Sequence, residues 1–117
     1  MRMFVEPLAV YLHREPVDFR QSINGLTARV EGTMGLSPLS GALFLFCNRQ
    51  RTRLKLLYWD HTGFALWYKR LEEARFRWPR QCDAVLTLTE GELHALLQGY
   101  DIVRPAPHKI LHYSRVL

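Results

Sequence analysis

Arg49, Arg51, Arg53 and Lys55 alternate along one short stretch, and Lys69-Arg70, Arg75, Arg77 and Arg80 follow within the next 25 residues. Between them stand Trp59, Phe64, Trp67, Tyr68, Phe76 and Trp78. Guanidinium and ammonium groups neutralise phosphates, and aromatic faces stack on unpaired bases, so this combination suits a nucleic-acid partner. A plainer account is available for the same residues: the aromatics can be core, and the Arg49 to Lys55 run can be a solvated edge that discourages sheet-to-sheet association. A protein-facing surface is a third use of the same face, and DNA and protein partners both stay open at this point. Residues 49 to 80 hold nine of the sixteen basic residues against three acids, Asp60, Glu72 and Glu73. The rest of the chain carries seven basic and eight acidic residues, so the entire net charge of +5 arises in that one segment.

Other chemistry is poorly supplied. Asp18, Asp60 and Glu72 are the carboxylates that a metal-dependent phosphodiester cleavage would need to bring together. Each has a simpler role, as a helix N-cap, the start of a turn and a surface partner of Lys69-Arg70. His108 and His112 have a spacing that suits zinc on a helix, but Pro105 and Pro107 oppose a helix there and no third ligand is near. Cys47 and Cys82 are isolated thiols with no Cys-x-x-Cys spacing, expected to be reduced and inert. Phosphate-loop, nucleophile-elbow and dinucleotide-binding motifs are missing, as is any helix-turn-helix or zinc finger. The expectation is a non-enzymatic protein without metal or cofactor.

The elements that must position the basic residues can be read from pattern. Ala42 to Cys47, Arg53 to Trp59 and Phe64 to Leu71 are apolar-rich runs separated by the polar turns Asn48 to Thr52 and Asp60 to Gly63, the signature of a three-strand antiparallel meander. Period two puts Arg53, Lys55, Leu57 and Trp59 on one face of the central strand and Leu54, Leu56 and Tyr58 on the other, leaving a basic end exposed. Arg75-Phe76-Arg77-Trp78 alternates in the same way and reads as a fourth strand before Pro79. Ala9 to His13 and Ala84 to Leu88 are weaker strand candidates. Asp18 as N-cap, with Phe19, Ile23, Leu26, Val30 and Met34 at spacings of three and four, predicts an amphipathic helix from about Phe19 to Met34 that Gly35 ends. Gly25 and Gly32 inside it each cost about 1 kcal/mol relative to alanine, which points to close packing at one of them. Thr89 with Glu92 forms a capping box ahead of Leu93, Leu96 and Leu97, predicting a second helix from about Glu90 to Gln98 that Gly99 stops.

These pieces assemble into an α+β fold: an antiparallel sheet of four to six strands, one main helix packed on it and a shorter C-terminal helix at its margin. At 117 residues, with 48% hydrophobic residues, the chain has room for one domain and one core. Residues 1 to 103 form that domain, and residues 104 to 117 an extended arm. No apolar run approaches the roughly 18 residues of a membrane span, and Glu6 and Pro7 interrupt any signal-peptide core. A cytoplasmic protein is expected.

The run Asp18-Phe19-Arg20-Gln21-Ser22-Ile23-Asn24-Gly25-Leu26 is followed by Gly41-Ala42-Leu43-Phe44-Leu45-Phe46, Asn48-Arg49, Leu54-Lys55-Leu56-Leu57, Trp59-Asp60 and Gly63-Phe64. Tyr68-Lys69-Arg70-Leu71-Glu72 and Phe76-Arg77-Trp78-Pro79 complete an ordered set spanning roughly residues 8 to 103. The set resembles the second open-reading-frame product of the insertion-sequence sixty-six family of bacterial transposons. That family is sometimes called TnpB, a name it shares with unrelated and much longer RNA-guided nucleases. Cys47 and the proline-rich tail depart from the family pattern. The resemblance implies a non-catalytic accessory protein, encoded beside a larger transposase that carries the catalytic carboxylates. Its expected partners are the cognate transposase and DNA, with a homo-oligomer also open and no membrane. The residues expected to face the partner are Arg20, Arg49, Arg51, Arg53, Lys55, Lys69, Arg70, Arg75 and Arg77. A pure protein adaptor that never touches DNA is the competing reading.

Overall fold

A computed structural model describes residues 9–80 and 83–102. The elements are β1 (Val10–His13), α1 (Ile23–Glu31), β2 (Leu43–Cys47), β3 (Arg53–Asp60), β4 (Gly63–Arg70), β5 (Val85–Leu88) and α2 (Glu90–Leu97). They build an α+β fold on one five-stranded sheet in the order β4-β3-β2-β1-β5.

The meander is as the pattern predicts, with β2–β3 and β3–β4 antiparallel in an unbroken register from Asp60↔Gly63 to Arg53↔Arg70. The expectation of a purely antiparallel sheet needs one correction: β1 and β2 run parallel, Val10 beside Leu43. A parallel neighbour requires a long crossover, and α1 is that crossover. Strand periodicity carries no information about direction, so this pairing was beyond its reach. At the far edge β5 pairs antiparallel with β1.

Both faces of the sheet are covered. On one, Leu26 and Val30 of α1, with Met34 just beyond it, pack with Phe44, Phe46 and Leu57. On the other, Leu93, Leu96 and Leu97 of α2 join Leu45, Leu54, Leu56, Phe76 and Trp78. The helix α2 therefore roofs a face and does not sit at the margin. Burial on two sides explains why β2 reads Leu-Phe-Leu-Phe-Cys without alternation, every residue of it buried.

Three boundaries differ from expectation for local reasons. α1 begins at Ile23 instead of Phe19, because Asp18 does not cap the helix. Its carboxylate instead accepts from the backbone N–H of Arg20 at 2.9 Å and from Arg20 Nε at 3.0 Å. The helix also stops early, at Glu31, with Gly32 as C-cap and Gly35 three residues later taking φ +64°. A Cβ at Gly25 would come within 2.9 Å of Gln21 Cβ, so the tightest contact this glycine accommodates is with Gln21 at the entry into α1. Finally, Arg75 to Trp78 alternates outward and inward as predicted but joins no sheet ladder. It crosses the α2 side as a strap, held where the Phe76 N–H donates to Arg51 O at 2.7 Å and Trp78 Nε1 donates to His13 O at 3.0 Å. The capping box at Thr89 and Glu92 forms as predicted, and Gly99 follows α2 at φ +85°. The arm proposed for residues 104–117 lies outside the described residues, as do Cys82, His108 and His112.

Candidate nucleic-acid interface

Strand direction decides where the basic residues gather. β1 and β2 end, and β3 and β5 begin, at the same end of the sheet, and β4 finishes there beside the start of β3. The turn Asn48 to Thr52, the β4 terminus and the Arg75 to Arg80 strap converge on that end. So does the entry to α1, where Asp18, Phe19 and Arg20 share a groove with Arg49 and Arg53. A second, open groove of about 730 Å³ runs between the strap and the residues after α2, with Arg51, Arg75, Arg77 and Arg80 on its walls. Glu73 and Asp101 also line it.

Asn48 builds the turn. It is buried, and its Oδ1 accepts the backbone N–H groups of Thr52 at 2.9 Å and Arg53 at 3.0 Å. Its amide nitrogen donates to Gln50 Oε1 and Thr52 Oγ1. The turn closes with Arg51 in the left-handed region at φ +62°, a conformation that L side chains adopt at a cost of roughly 1–2 kcal/mol.

The nine candidate residues fall into three groups. Arg49, Arg51, Arg53, Arg75 and Arg77 have no ion pair among the described residues; all are exposed except the half-buried Arg51. Arg20 and Arg70 lie on the same end but are each engaged locally, Arg20 by Asp18 and Arg70 by Glu72 at 2.9 Å. The carboxylate of Asp18 is correspondingly held down to about 2 by its hydrogen bonds from Arg20. Lys55 and Lys69 belong to the scaffold. Lys55 Nζ donates to Phe19 O at 3.0 Å and Gln21 O at 2.9 Å while lying 4.7 Å from the Phe19 ring centroid. Partial burial lowers its pKa. Lys69 Nζ donates to Leu97 O at 2.8 Å and so satisfies a carbonyl at the C-terminus of α2.

The geometry changes the anticipated surface in kind. The face assignment of β3 is correct, yet that face is not open, because α1 covers Leu57 and the entry to α1 covers Lys55. Phe76 and Trp78 are core residues, and among the interleaved aromatics Tyr68 alone is exposed, at 49%. The positive surface is therefore the end of the sheet and not an aromatic-rich face. Two arginines outside the candidate set border it: Arg80, part of the basic segment, and Arg14, which follows β1 and lines a cleft with Arg51 and Arg80. Arg14 sits far from the others in sequence, and only the parallel β1–β2 pairing brings it there.

The carboxylates considered for metal chemistry are dispersed. Asp18 is bound to Arg20 and Glu72 to Arg70, while Asp60 lies at the opposite end of β3. Among the described residues no group of three His, Cys, Asp or Glu side chains comes together. Cys47 is fully buried, and burial pushes its thiol up to about 12, the setting of an inert core thiol. Among the described residues no helix is long and apolar enough to cross a membrane.

A family model described as IS66 Orf2 like protein matches residues 8–107. The chain is 35% identical over 97 residues to the uncharacterized protein y4jC of Sinorhizobium fredii, a match covering 83% of each. It is 33% identical over 96 residues to the uncharacterized protein y4hO of the same organism, covering 82% of this chain and 84% of that one. No solved structure matches.

Proposed function

Because the chain belongs to the family of IS66 Orf2-like proteins, accessory proteins of transposition, we propose that it helps to assemble the cognate transposase on DNA through its arginine-bearing sheet end. The observation that carries this reading is the set of five arginines, Arg49, Arg51, Arg53, Arg75 and Arg77, that converge from two separate segments without carboxylate partners among the described residues. Unpaired guanidinium groups around open grooves attract phosphate and release its counterions. Phe76 and Trp78 are withdrawn into the core, so base stacking contributes little, and the contact is with the sugar-phosphate backbone. Binding is then insensitive to sequence and does not favour single strands. No catalytic step is assigned to the chain; cleavage and joining belong to the transposase. In this reading the protein acts in the cytoplasm, beside the transposase.

Fluorescence anisotropy with single- and double-stranded DNA over a salt series tests the reading, comparing wild type with the Arg49→Ala, Arg51→Ala, Arg53→Ala triple variant. We expect micromolar binding that weakens steeply with salt. In the triple variant the slope of log affinity against log salt on duplex should be shallower by about 2 to 3, since each phosphate contact contributes roughly 0.9. Absence of binding at low salt by a folded protein would refute the DNA contact and favour a protein adaptor, to be sought by pull-down with the cognate transposase.

A further inference from the structure

The strand β4 forms one edge of the sheet, and among the described residues nothing pairs with its outer side. Which of its backbone groups face outward follows from one hydrogen bond. The Leu71 N–H donates to Thr52 O at 2.8 Å, which makes Thr52 and Leu71 a hydrogen-bonded pair of the β3–β4 ladder. Such pairs alternate along an antiparallel ladder, so Lys69, Trp67 and Ala65 turn their N–H and C=O groups toward β3. Phe64, Leu66, Tyr68 and Arg70 turn theirs outward.

An edge of this kind is normally kept short, bulged or charged along its length. β4 has eight residues and no bulge against β3, and its two charges, Lys69 and Arg70, lie at one terminus. Lys69 is moreover committed to Leu97 O. The middle, Ala65 to Tyr68, is uncharged and only partly buried, with Tyr68 exposed.

We propose that β4 pairs antiparallel with β4 of a second copy of this chain, across a twofold axis at Trp67, continuing the sheet through the interface. In that register Leu66 of each copy lies opposite Tyr68 of the other and Phe64 opposite Arg70, so all four outward residues on each side meet outward residues and exchange hydrogen bonds. Ala65 lies opposite Lys69, and Trp67 opposite its symmetry mate. Charge favours this orientation. The Lys69-Arg70 terminus of each copy comes to rest beside the uncharged Phe64-Ala65 of the other and next to its Asp60 turn, whereas a parallel in-register pairing would set arginine against arginine. The same patch serves both copies, as a closed dimer requires.

The pairing is independent of DNA binding and is tested without DNA. Sedimentation velocity of the full chain from low micromolar to submillimolar concentration should show a concentration-dependent shift from 13.8 kDa to twice that mass. Amide hydrogen exchange should show Phe64, Leu66, Tyr68 and Arg70 protected at high concentration and freely exchanging on dilution, while Ala65 and Trp67 stay protected throughout. The Tyr68→Lys variant should remain monomeric with an unchanged far-ultraviolet spectrum; if it does not fold, the exchange pattern of the wild type decides. The proposal is overturned by a wild type that is monomeric at every concentration. It is equally overturned by a dimer whose four outward amides still exchange freely, or by outward amides that become protected only when transposase is added.

Discussion

Arg51 is the residue at which stability and function pull apart. Its side chain belongs to the five unpaired arginines, while its backbone holds φ +62° and its carbonyl anchors the strap through the Phe76 N–H. Glycine at this position removes the steric cost of the left-handed conformation. We expect Arg51→Gly to be more stable than wild type by about 1 kcal/mol in denaturant unfolding, and to lose about one phosphate contact in its salt slope. A less stable variant would show that the arginine side chain itself supports the fold, and unchanged DNA binding would remove Arg51 from the phosphate contacts. His13 sets a second residue-scale expectation. Its ring is buried, its Nδ1 donates to Glu15 O at 2.7 Å and its Nε2 has no hydrogen-bond partner among the described residues. Burial, opposed by the bond to Glu15 and reinforced by Arg29, lowers its pKa below 6.5. The folded form therefore resists a proton that the unfolded chain accepts, and stability is lost as pH falls through 6.5 toward the folded value. Unfolding midpoints at pH 7.5 and 5.5 should differ more for wild type than for His13→Leu. Equal drops in the two proteins would assign the pH dependence elsewhere.

At the scale of elements, the Asn48 to Thr52 turn is what aims Arg49, Arg51 and Arg53. One buried side chain satisfies two backbone N–H groups of the turn and braces two neighbouring side chains. Truncation to Asn48→Ala leaves these groups without their partner, at a cost of about 1 to 3 kcal/mol. We expect that loss in denaturant unfolding, with accelerated amide exchange at Thr52 and Arg53 and weaker DNA binding, although no charge is removed. Retained affinity in the destabilised variant would indicate that the arginines act as a diffuse charge and need no positioning. Much of this level was legible beforehand. Alternation marked β2, β3 and β4, and the Thr89-x-x-Glu92 box marked α2, because those signals depend on local geometry. The strap from Arg75 to Trp78 shows the limit: its alternation is that of a strand, but whether a neighbouring strand has a free edge to receive it is a tertiary matter.

At the scale of the whole molecule, the arginine end and the β4 edge are related by direction. An antiparallel pairing of two β4 strands points the two arginine ends away from each other, on opposite sides of a continuous sheet. Such a dimer is suited to hold two duplexes and not to clamp one. We expect wild type, but not Tyr68→Lys, to join two differently labelled duplexes in a two-colour coincidence assay, while both proteins bind a single duplex with similar affinity. Joining by a monomeric Tyr68→Lys would separate the two features; loss of single-duplex binding would place Tyr68 in the DNA contact.

The sequence by itself determined the class of fold, the meander and its turns, both helices, the family, and the segment in which the positive charge resides. These follow from periodicity, capping chemistry and composition, all of which act within a few residues or are carried by an ordered set of motifs. Only the tertiary structure decided which cations remain free. Lys55 and Lys69 look like surface charges in the sequence, but the backbone carbonyls that hold them, those of Phe19, Gln21 and Leu97, come from elements about 30 residues away. It also decided that Arg14 stands beside Arg51 and Arg80, because the parallel β1–β2 pairing carries the end of β1 to the same end of the sheet. The exposed aromatic face gave way for the same reason: a helix on each side of the sheet leaves little of either face to solvent.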